Sequence, residues 1–195
     1  MSHDSSVETF KVGPLTVRIG YDQDAGNPCE EDDGLGTIRS FSRKHINYID
    51  PDEAREMMEA DPCIVPLAYY EHGNCLWMVA EGPHPAGVEF QWDGTRFAGI
   101  WIPDDWVRES YQGQDSKTRQ QWMVERAASC CKVYTKWCNG EIYYFVVTDE
   151  DDEVVDSCSG MYSLEYCIDY AREAAESAVA RRTEEDAKIS AMMGT

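Results

Sequence analysis

The segment from Asp115 to Gly140 leaves this chain few architectures. Asp115 or Ser116 can cap a helix start, and Asn139-Gly140 supplies a stop. Between them Met123, Ala127, Cys130, Tyr134 and Trp137 recur at steps of four, three, four and three. That spacing puts one apolar stripe on a long helix and places Cys130, Cys131 and Cys138 in or near a core. Such a helix needs a second layer to bury its stripe against.

Strands supply that layer. Leu15, Val17, Ile19 and Tyr21 alternate with Thr16, Arg18 and Gly20, the pattern of a half-buried strand. After Cys63 come four more apolar runs, IVPLAYY, CLWMVA, GVEFQW and RFAGIWI, punctuated by Gly, Pro, Asn and Asp. Pro66 predicts an edge position or a bulge for its strand. EIYYFVVT and EVVDSC flank Asp149 to Asp152 and read as a hairpin with an acidic turn. Asp50-Pro51-Asp52-Glu53 opens a short helix, and Pro103-Asp104-Asp105-Trp106 opens another. A last helix starts near Ser163 with Leu164, Ile168, Ala171, Ala175 and Ala178 inward. The expected fold is α+β: a mostly antiparallel sheet packed against a long helix and a C-terminal helix. A single domain over 1–195 is expected, with a loose start over about 1–8 and a frayed tail over about 183–195.

Charge restricts the partners. The chain carries 17 basic against 37 acidic residues, a net charge of −20. That excess repels nucleic acid and anionic membranes and favours basic partners. The 5 Phe, 6 Trp and 11 Tyr therefore serve a core or a protein interface rather than base stacking. Eight cysteines include no C-x-x-C pair, and His3, His45, His72 and His84 are the only histidines, so zinc-site spacing is lacking. No signal peptide or membrane-length apolar span is evident, which predicts a cytoplasmic protein with buried, reduced thiols.

The stretch DQDAGNPCEEDDGLG holds six carboxylates: Asp22, Asp24, Glu30, Glu31, Asp32 and Asp33. Asp22, Asp24 and Asp33 occupy positions one, three and twelve of an EF-hand-like loop. Gly26 and Asn27 then stand where that loop needs an oxygen ligand and a glycine. No nucleophile elbow or phosphate-binding glycine loop occurs, so no catalytic residue, metal or cofactor is assigned. Imitation of nucleic acid is the sharper alternative. A compact chain of this length spans about 40 Å, and duplex DNA of that span carries on the order of 24 charges. The candidate partner-binding residues are the six acids above with Asp149, Glu150, Asp151, Asp152 and Glu153 of the hairpin turn.

YDQDAGNPCEEDDGLGTIRSFSRKH resembles the opening of a family of uncharacterised proteins encoded by phages and mobile elements. VPLAYYEHG, FQWDGTRFAGIWIPDDWVRESY and KVYTKWCNGEIYYFVVTDEDDEVVDSCSGMY continue the resemblance in order, from about Leu15 to Tyr170. Cys158 leads here into Ser-Gly-Met-Tyr, where many relatives have Trp-Gly. The resemblance implies a phage accessory protein in host cytoplasm. The function expected on that footing is a non-enzymatic inhibitor of a host nucleic-acid-binding defence system, of the anti-CRISPR or anti-restriction type and a DNA mimic in form. Its partner would be a host protein with a basic surface. The alternatives are a small Mg²⁺- or Mn²⁺-dependent enzyme acting on a nucleotide, and a structural or assembly protein.

Overall fold

A computed structural model describes residues 6–31, 34–81 and 93–193. It is α+β, with two four-stranded antiparallel sheets where the sequence suggested one. The chain divides into two compact units. One takes both ends, up to Ala25 and from Gly140 onward; the other is Gly26–Asn139.

In the first unit the strands are β1 (Ser6–Val12), β2 (Leu15–Tyr21), β7 (Tyr143–Thr148) and β8 (Val154–Met161), in that spatial order. Helix α5 (Leu164–Met193) covers one face. Only one face is buried, and so β2 alternates: Leu15, Val17 and Ile19 are fully buried under the helix, while Thr16 and Arg18 are only half-buried. Cys167, Ala171, Ala175 and Ala178 form the buried face of α5, and small side chains there let the helix lie close to the sheet. Helical structure continues to Met193 through the part expected to fray. RRTEEDAKIS is rich in good helix formers, so exposure alone does not unwind it. The polar start likewise becomes a strand from Ser6, because Phe10 and Val12 pack on the same core. Gly13-Pro14 turns the chain from β1 into β2, a dipeptide signal that the sequence reading passed over.

The second unit orders its strands β3 (Thr37–Ser40), β6 (Gly94–Ile102), β4 (Val65–His72) and β5 (Asn74–Val79). Its helices are α1 (Pro28–Glu31), α2 (Pro51–Ala60), α3 (Asp105–Ser110) and α4 (Ser116–Cys138). Trp101, Ile38, Val65 and Leu67 share one core with Met123, Ala127, Cys130 and Tyr134 of α4. Ile100 joins Ile49, Ile64 and Ala54 of α2 in a separate core. Both faces of β6 are therefore buried from Ala98 to Trp101, which explains an unbroken apolar run there in place of alternation, while Thr95 to Phe97 are exposed. Pro66 sits in β4, an inner strand, and the pairing with β6 shifts register between Leu67 and Tyr69. The strand thus carries a bulge, just after the proline, which itself stays in register opposite Ile100; the edge position does not occur. GVEFQW, expected as a strand, lies wholly outside the described residues.

The caps follow the sequence closely. Asp50 accepts from the Asp52 amide at the start of α2, and Asp115 accepts from the Lys117 and Thr118 amides at the start of α4. Asp104 occupies the corresponding place before α3 but does not cap it. Its Oδ2 accepts instead from the Gly34 and Gly36 amides, at 2.8 and 2.9 Å. Among the described residues, no helix is long and apolar enough to cross a membrane.

Candidate partner-binding groove

The six-acid stretch is divided between the two units. Asp22 and Asp24 follow β2 in the first unit, whereas Glu30 and Glu31 belong to α1 in the second. Asp32, Asp33 and the Glu31 side chain lie outside the described residues. Asn27 organises α1: its Oδ1 accepts from the Cys29 amide at 3.1 Å and its Nδ2 donates to Glu30 Oε1 at 3.1 Å.

Asp22 is tied down on three sides. Its amide donates to the Ile142 carbonyl at 2.8 Å, Oδ1 accepts from the Asp24 amide at 3.2 Å, and Oδ2 accepts from the Gly160 amide of β8 at 3.1 Å. Beside it opens a groove of about 610 Å³ lined by Tyr21, Asp22, Asp24, Tyr144, Ser157 and Cys158 among others. Tyr21 is 48% exposed and Tyr144 36%, although strand alternation had turned Tyr21 inward. Tyr144 lies across its register partner Gly20, where a Cβ would come within 2.8 Å of the ring. Gly20 thus leaves room for the Tyr144 ring, which lines the groove, whereas the Tyr21 ring packs against Tyr143. Two carboxylates beside an accessible ring suit a guanidinium or ammonium, which gains ion pairing and cation–π contact together.

The hairpin turn is built differently. Asp149 Oδ1 accepts from the Asp151 and Glu153 amides at 3.1 and 3.0 Å, and Oδ2 pairs with Arg182 at 2.9 Å. The Arg182 guanidinium holds the Asp149 carboxyl below the usual carboxylate range. Asp149 therefore scaffolds the turn. Asp152, at a φ of 61°, pairs with Arg18 at 3.2 Å. Glu150, Asp151 and Glu153 are exposed. The β2–β7 register sets Thr16 against Thr148 at one end and Tyr21 against Tyr143 at the other. The turn and the Asp22 groove thus stand about 17 Å apart, at 3.3–3.4 Å per residue.

Other constellations resolve into structure. Ser40 Oγ and His45 Nδ1 are 2.8 Å apart, but Ser40 is 1% exposed and its oxygen also accepts the Ser42 amide at 3.1 Å. The pair orders the turn after β3. Arg43 contacts the Tyr48 hydroxyl and ring. Among the described residues, no three His, Cys, Asp or Glu side chains gather as a metal ion would require. The sequence alone does not reveal Tyr144 and Gly160, which enter the site only through strand pairing. No known protein family, curated protein or solved structure matches this chain.

Proposed function

We propose that this protein is a non-enzymatic acidic inhibitor that binds a basic, normally nucleic-acid-binding surface of a host defence protein. The observation behind the reading is the groove in which Asp22 and Asp24 stand beside the exposed ring of Tyr144. Carboxylates there take the place of phosphates against an Arg or Lys, and the ring supplies contact area that excludes water. The phage setting, and with it the anti-CRISPR or anti-restriction type, is supported by the sequence resemblance alone.

The test is a pull-down from bacterial lysate eluted with a salt gradient. Wild type runs beside a groove variant, Asp22→Asn with Asp24→Asn and Tyr144→Ala, and a charge-matched control, Glu150→Gln with Asp151→Asn. A DNA- or RNA-binding protein should be held by wild type and control, released steeply as salt rises, and lost from the groove variant. Equal retention by both variants would remove the groove from the interface. Retention that ignores salt would remove the electrostatic reading.

A further inference from the structure

None of the eight cysteines is in a disulfide, and two pairs of them meet: Cys29 with Cys130, and Cys75 with Cys138. Cys29, on α1, lies with its Sγ 3.4 Å from the Sγ of Cys130, on α4. Both belong to the second unit, and α1 packs directly on α4. Cys29 is partly exposed and Cys130 fully buried. We propose that Cys29 and Cys130 are a redox-active dithiol, which a peroxide converts into a disulfide joining α1 to α4.

The geometry assigns the roles. A small oxidant reaches Cys29 from solvent, and Cys130 waits behind it at contact distance as the resolving thiol. A disulfide needs the sulfurs at about 2.0 Å, so closure takes a shift on the order of 1.4 Å. The Cys130 S–H, donated to Cys29, also holds the Cys29 thiol below its ordinary range, while the same contact and burial push Cys130 up. The Cys29 thiolate attacks one oxygen of hydrogen peroxide; the S–O bond forms, the O–O bond breaks, and the departing hydroxide is protonated to water. Cys130 sulfur then attacks the sulfenic sulfur of Cys29; the S–S bond forms, the S–O bond breaks, and hydroxide leaves with the Cys130 proton as water. Two thiols lose two electrons, and one peroxide becomes two waters.

Neighbouring thiols are the built-in controls. Cys131 adjoins Cys130 in sequence, and burial pushes its thiol up to about 12. Cys158 is exposed and lies in the other unit. The inference does not rest on the proposed function, though oxidation would pin Glu30 and Glu31 to α4.

Reduced protein is treated with a small molar excess of hydrogen peroxide, alkylated with N-ethylmaleimide and digested without reductant for mass spectrometry. The expected products include a cross-linked peptide pair holding Cys29 and the Cys130–Cys131 segment, about 2 Da lighter than the two free peptides and distinct in mass from any pair holding Cys75 and Cys138. It should persist in Cys131→Ala and vanish in Cys130→Ala. Cys29→Ser should lose it too and leave Cys130 open to alkylation after unfolding, which keeps the test decisive if the buried Cys130→Ala fails to fold. The oxidised wild type should melt roughly 10 °C higher, because the bond closes a loop of about a hundred residues in the unfolded chain. Alkylation of both cysteines after peroxide, over-oxidation of Cys29 without a cross-link, or a cross-link that needs Cys131 would each overturn the proposal.

Discussion

Gly36 and Asp104 show how single residues hold the end of the acidic stretch. Gly36 has a φ of +74°, a conformation that glycine adopts freely and an L side chain does not. A Cβ there would stand 2.5 Å from Trp101 Nε1 and 2.7 Å from the Ile102 carbonyl oxygen. Trp101 is fully buried and donates that Nε1–H to the Leu35 carbonyl at 2.7 Å, so it has little freedom to yield. The Asp104 carboxylate, gripping the Gly34 and Gly36 amides, fixes the same loop from the other side. Gly36→Ala should cost about 2–4 kcal/mol through backbone strain and overpacking. In urea that is a midpoint lower by about 1–2 M with unchanged slope. A loss below about 0.5 kcal/mol would mean that Trp101 moves aside.

At the scale of elements, the second unit closes its sheet edges with side chains. β5 is an end strand, yet Asn139 Oδ1 accepts the Cys75 amide at 2.9 Å and its Nδ2 donates to the Cys75 carbonyl at 3.0 Å. One turn back along α4, Thr135 Oγ1 accepts the Trp77 amide at 2.9 Å. Two polar residues four apart on an apolar helix face thus imitate a neighbouring strand. At the opposite edge, the Asn47 side chain donates to the Ile38 carbonyl and its own carbonyl accepts the Ser40 amide, so residues 47–49 cover β3. The end strand β8 of the other unit carries Asp156 and follows Glu153. Thr135→Val should cost about 1–2 kcal/mol and Asn139→Ala about 1–3 kcal/mol, because each orphans main-chain groups. Thermal melts check the size, and size-exclusion chromatography should show Asn139→Ala self-associating through the opened edge. Unchanged melts for both would show that water replaces these side chains without penalty.

For the whole molecule, the topology is an insertion. β2 and β7 are hydrogen-bonded neighbours, and the chain leaves the first unit after one and returns before the other. The apolar cores divide in the same way: one cluster belongs to the first unit and two to the second. Charge divides unevenly. The first unit holds 18 acidic and 6 basic residues, net −12, and the larger second unit 19 and 11, net −8. The Asp22 groove therefore lies in the more acidic unit, where long-range attraction for a cation is stronger. A chain of residues 26–139 alone should fold, with a mixed helix–strand circular dichroism spectrum and one cooperative urea transition. A featureless spectrum would show that its three layers need the rest of the chain.

Much of this protein is written in local sequence. The ends of α4 at Asp115 and Asn139, the cap at Asp50, the alternation of β2 and the acidic turn between β7 and β8 all follow from interactions within a few residues, which a linear reading captures. Composition likewise determined the excess of negative charge. What the tertiary structure alone decided is which acids share a surface. Asp22 and Asp24 gain Tyr144 through strand register, Asp149 is spent on Arg182 from a helix more than thirty residues on, and Asp104 leaves its own helix to hold Gly34 and Gly36. Cys29 meets Cys130 across a hundred residues for the same reason. A carboxylate or thiol is recognised by type in the sequence, but its partner depends on where distant segments pack, and that is set by burial of the cores.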